Sequence, residues 1–80
     1  MKNKEKYNKA FIDTFGVEAE VLNNQFSKDT VEAWDSVHQL NVVTTIEDLF
    51  GLFFDPEDIM SFVSYDAGKQ VLNKYNVQID

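Results

Sequence analysis

Apolar residues recur along this chain at helical rather than strand spacing. Tyr7, Phe11 and Phe15 fall at i, i+4 and i+8, with Ala10 and Thr14 alongside, which predicts a helix over residues 2–15 with one apolar face. Lysines cover much of its remainder. Gly16 is placed to stop it, since glycine at C′ turns left-handed with no Cβ penalty. Over residues 17–34 the pattern breaks: Val17, Val21, Leu22 and Phe26 keep no sustained period. A connection this long is expected to carry a short helical turn and to pack its own side chains. Trp34 reads as its anchor, with the indole ring buried at the loop-to-helix junction and its N–H bonded.

Periodicity resumes at Ser36. Val37, Leu40, Val43, Ile46 or Glu47, and Phe50 step by three or four, with Val42 and Leu49 widening the stripe. They predict a helix over Ser36–Phe50, ended by Gly51. Thr44 and Thr45 lower its intrinsic propensity, so packing must support it. Leu52-Phe53-Phe54 is an apolar connector. Asp55-Pro56-Glu57-Asp58 then marks a helix start, with Asp55 as N-cap, Pro56 at N1 and acids in the first turn. The short helix it opens covers residues 56–62. Ser64 is the expected cap of a last helix over residues 65–75, with Tyr65, Val71 or Leu72, and Tyr75 on its buried side. Gly68 within it costs about 1 kcal/mol relative to alanine and admits close approach of a neighbour. Residues 76–80 are expected to fray. The predicted fold class is all-α: a small four-helix bundle with three longer helices, one short helix and a long loop between helices one and two.

Length fits one domain, residues 1–80, and 44% hydrophobic residues fill a small core rather than a disordered chain. There is no cysteine, which removes disulfides and thiolate metal sites, and the single His38 cannot anchor zinc alone, so no metal site is expected. No apolar stretch follows the lysine-rich start, and Leu52-Phe53-Phe54 is far too short to span a bilayer. Neither a signal peptide nor stable membrane insertion is expected, and the cytoplasm is the expected compartment. The net charge of −7 is uneven: Lys2, Lys4, Lys6 and Lys9 cluster at the start, whereas residues 29–68 hold nine carboxylates and no lysine. That acidic field argues against nucleic acid as a partner and for basic protein surfaces.

Asp35-Ser36 is the candidate for chemistry. At a helix start, unpartnered N–H groups and the helix dipole favour an anion, so a serine hydroxyl there can carry a phosphate. The same pair can do no more than cap the helix. A hydrolase built from Ser36, His38 and Asp35 fails on spacing, because side chains at i and i+2 point about 200° apart on a helix. No G-x-S-x-G elbow or Gly-rich phosphate loop is present. No catalytic residue is assigned, and the chain is not read as an enzyme. Asp55-Pro56-Glu57-Asp58 lacks the alternating ligands and central glycine of a calcium loop. Glu47 and Asp48 read as a solvated face or a partner contact.

The stretch over residues 34–51 resembles the acyl carrier protein family. Asp35-Ser36-Val37 looks like the family's Asp-Ser-Leu signature, followed by an apolar-patterned helix, the acidic pair Glu47-Asp48 and Phe50. Asp55-Pro56-Glu57-Asp58-Ile59 resembles the family's acidic start to helix three, and Ser64-Tyr65-Asp66-Ala67 its capped helix four. The likeness covers nearly the whole chain in length and helix order. It implies that Ser36 carries 4′-phosphopantetheine through a phosphodiester, installed from coenzyme A by a phosphopantetheinyl transferase using Mg²⁺. Asp35 matches the Asp that helps the transferase's metal. The arm would hold an acyl group as a thioester for acyl-loading, acyltransferase or synthase enzymes of fatty-acid-like or specialised acyl-transfer pathways.

By the same resemblance, Val37, Glu47, Asp48, Glu57 and Asp58 form a docking face for lysine or arginine on those partners, and the carrier is a monomer. Leu49, Ile59 and Phe62 are candidates to line a space for an acyl chain, or are ordinary core. His38, Gln39 and Asn41, and the absence of carboxylates over residues 37–46, depart from the fatty-acid-synthesis pattern. Trp34 is commoner in carriers of specialised pathways. A D-alanyl or peptidyl carrier, and a helical interaction module without prosthetic group, stand beside this reading.

Overall fold

A computed structural model describes residues 2–79. In chain order come α1 (Asn3–Phe15), α2 (Ser36–Phe50), α3 (Pro56–Ser61) and α4 (Tyr65–Lys74), with a 3₁₀ turn at Ala19–Val21 inside the long first connection. The fold is all-α, and helix boundaries follow the sequence pattern to within a residue. The stop signals act as read: Gly16 and Gly51 both sit at φ 65°, and their N–H groups bond the carbonyls of Ile12 and Glu47. Asp55 occupies the N-cap position of α3, but its side chain makes no capping bond. Pro56 at N1 and the Asp55 carbonyl, which accepts from the Ile59 N–H at 3.0 Å, start the helix instead.

The expected fraying after α4 is corrected. Asn76 adopts φ 65° and turns the chain back, with its own N–H on the Asn73 carbonyl (3.1 Å) and the Val77 N–H on that of Leu72 (3.0 Å). Val77 and Ile79 are then half-buried against the core, and the Asn3 amide donates to the Gln78 carbonyl at 3.2 Å. Asp80 lies outside the described residues.

Phe11 is the hub of the core. Its ring lies 5.0 Å from Tyr7, 5.3 Å from Tyr65, 5.8 Å from Phe26, 5.9 Å from Trp34 and 6.1 Å from Phe62. One side chain of α1 thus gathers rings from the loop, the end of α3 and the start of α4. Phe26 and Trp34 are buried, which explains how a loop without a hydrophobic period stays folded. Backbone bonds stitch it further: the Lys28 N–H reaches the Val63 carbonyl and the Tyr65 N–H reaches the Phe26 carbonyl, both at 2.8 Å. At Gly68 the close approach is real. A Cβ there would meet the Tyr7 hydroxyl and the Phe62 ring, whose Cε2 lies at 2.8 Å. That hydroxyl donates to the Tyr65 carbonyl, and burial pushes it well above the usual tyrosine range, with Tyr65 and Asp66 adding to the effect.

Candidate functional site

Ser36 is the first residue of α2 and is exposed. The capping work falls to its neighbour: Asp35 Oδ1 accepts from the His38 N–H at 2.9 Å. The same oxygen meets His38 Nδ1 at 2.8 Å. A carboxylate only accepts, so Nδ1 carries the proton in this contact. The His38 N–H, and next the His38 ring, hold the Asp35 carboxyl below the usual carboxylate range. The ring also stacks on Phe15, with centroids 5.6 Å apart and planes 19° apart. His38 is therefore half-buried and engaged, not a loose surface residue. Asp35 and His38 come together as a cap and its brace, and Ser36 stands beside them.

The expected docking residues divide. Asp48 and Glu57 are exposed, and Val37 is 65% exposed. The periodicity places Val37 and Leu40 on the apolar stripe of α2, but both point outward, and the buried row is Val42, Val43 and Ile46, continued by Gln39 one turn earlier. Glu47 is half-buried and accepts from the Phe54 N–H at 2.7 Å, which closes the connector after α2. Asp58 is the clear correction: at 2% exposure it offers no free charge to a partner. Lys74 Nζ and the Tyr75 hydroxyl both donate to it from the end of α4. Lys74 first, then Tyr75, holds its carboxyl below the usual range, and the same contact raises Lys74 and Tyr75. The residues proposed to line an acyl space do not share one environment. Phe62 is fully buried core, while Leu49 and Ile59 are half-buried against it. Outside the expected set, Phe53 is 90% and Met60 78% exposed.

Gln39, which the sequence marks only as a departure from the fatty-acid-synthesis pattern, holds a junction of the fold. Its Oε1 accepts from the Trp34 indole N–H, and its Nε2 donates to the carbonyls of Ile59 (2.8 Å) and Phe62 (2.6 Å). The signal was present: Gln39, Val42, Val43 and Ile46 share one helix face, so an amide stands on the apolar stripe next to a buried tryptophan. A polar group there needs partners.

No protein-family model, curated protein or solved structure matches the chain. Among the described residues, no helix is long and apolar enough to cross a membrane.

Proposed function

We propose that this chain is a carrier protein, modified at Ser36 with 4′-phosphopantetheine and holding an acyl group for partner enzymes. The observation that supports it most is the division of labour at the head of α2. Asp35 satisfies the helix end, so the exposed Ser36 hydroxyl can be esterified without loss of the cap. The residues present fit the group: the attachment residue is exposed at a helix N-terminus, where a phosphodiester is electrostatically favoured. When bound, the arm supplies a thiol for thioester chemistry. The chain's own part is to expose Ser36, anchor it between Trp34 and the rigid α2, and offer Val37, Asp48 and Glu57 to a transferase or synthase with a basic surface. Glu47 serves the fold, and Asp58 drops out of that surface.

Intact mass after incubation with coenzyme A and a broad phosphopantetheinyl transferase tests the reading. The wild type gains the mass of the arm, and Ser36→Ala gains nothing while keeping its stability to within about 0.5 kcal/mol. No gain by the wild type, alongside a control carrier that is loaded, sinks the proposal. A second reading, an interaction module without prosthetic group, draws on the exposed Leu40, Phe53 and Met60. Stable partner binding that survives Ser36→Ala unchanged favours it.

A further inference from the structure

The carrier reading allows two resting places for a cargo: the seam between α2 and α3, or solvent. The seam is pinned at one edge, and Phe62, at the C-terminal end of α3, is packed into the core. Gln39 lies one turn after Ser36, and its amide holds the two carbonyls at the C-terminal end of α3 while accepting from Trp34. Only one amide orientation satisfies all three, since an indole N–H only donates and carbonyls only accept. One side chain therefore ties the loop before Ser36, the start of α2 and the end of α3. The other edge of α3 is fastened to α4 through Asp58, Lys74 and Tyr75. Phe62 itself is fully buried, stacked at 21° on Phe11 of α1 and 6.4 Å from Phe54 of the connector. It also lies against Gly68 of α4, which leaves no room even for a Cβ.

We infer that the Gln39 amide locks the α2–α3 seam shut, so that the cargo class is short or polar acyl groups carried in solvent, aminoacyl groups included, and not long alkyl chains stored in the protein. The inference rests on the carrier reading. Entry of an alkyl chain would break the two bonds that a half-buried amide makes to α3 and displace packed rings. The gain from burial grows with every methylene, so storage, where it occurs, appears as a dependence on chain length.

The test loads the full chain at Ser36 from acetyl-, octanoyl- and dodecanoyl-coenzyme A, with the adenosine bisphosphate of coenzyme A as leaving group. Thioester hydrolysis is followed by intact mass, and Trp34, the one tryptophan, reports the seam by its emission. Gln39→Glu keeps an acceptor for Trp34 but has no N–H for the carbonyls. Gln39→Met has no amide at all and serves where the glutamate charge prevents folding. In the wild type the three thioesters hydrolyse within roughly twofold of one another, with unshifted Trp34 emission; in the folded variant the dodecanoyl thioester is protected at least about fivefold over the acetyl one. Protection that rises with chain length in the wild type overturns the inference and leaves the carrier reading standing. Equal hydrolysis in the wild type and a folded variant overturns the role given to Gln39. No mass gain at Ser36 overturns the inference and the carrier reading together.

Discussion

Replacing Gly68 with alanine sets two effects against each other. Alanine is the better helix residue by about 0.8–1.0 kcal/mol, and Gly68 lies inside α4 without a left-handed φ, so that gain is available. Against it stands a space already filled. The new methyl meets the Tyr7 hydroxyl and two carbons of the Phe62 ring, one of them at 2.8 Å. Neither neighbour is the loose end of a flexible side chain. Both residues are fully buried, and the hydroxyl is committed to the Tyr65 carbonyl. Overpacking costs about 1–3 kcal/mol, and pushing the hydroxyl off its buried acceptor costs about 1–3 kcal/mol more. The difference is a net loss of about 1–5 kcal/mol. For a domain of this size that lowers Tm by at least about 5 °C. Thermal and urea denaturation followed by far-UV circular dichroism measure it. Phe62→Leu removes the obstructing ring carbons, so the double variant should lose less than the sum of the single ones. A Tm for Gly68→Ala at or above the wild type refutes the reasoning, because helix propensity would then outweigh a core that yields.

Ser64 Oγ accepts from the Ala67 N–H at 2.9 Å, so Ser64→Ala should destabilise the chain by about 0.5–2 kcal/mol in urea unfolding. The Asp58 contacts predict a pH dependence of stability. A carboxyl held low by Lys74 and Tyr75 contributes fully above its unfolded value of about 3.9 and loses that contribution as pH falls through its lower folded value. Lys74, raised by the same contact, contributes fully below about 10.4 and loses its contribution as pH rises through its higher folded value. Asp58→Asn should therefore be less stable at neutral pH and show a flatter fall of Tm below about pH 5; an acid limb as steep as the wild type's speaks against the buried pairing.

Much of the fold was legible because helix ends are written in local chemistry. Gly16, Gly51, Pro56 and Ser64 act on neighbours within one turn, and each ends or starts a helix where its sequence context places it. The start of α2 at Ser36, with Asp35 as its cap, was legible for the same reason. What tertiary contacts decide was not. Val37 and Leu40 fit an apolar stripe of α2 as well as Val42 and Ile46 do, and only tertiary packing selects the buried row. Asp58 in a helix's first turn reads as a solvent-facing acid until Lys74 and Tyr75 arrive from another helix. Gln39 looked like a departure from a pattern, while its three partners come from the loop and from the end of α3. Asp55 shows the reverse: the local signal was strong, yet its side chain makes no capping bond, because proline and backbone geometry suffice.

The backbone bonds that join Phe26 and Lys28 to the start of α4 close a circuit over half the chain. Single helices form within about a microsecond, but this circuit closes only when α1, the loop and the α3–α4 junction have been collected around Phe11. Loop-closure entropy must be met before those non-local contacts repay it, and this slows folding relative to bundles with short connections. Docking of that segment, which has almost no regular structure, is accordingly expected to set the pace of refolding. A newly made chain is then expected to present Ser36 at the head of a docked helix at the speed of its loop, not of its helices.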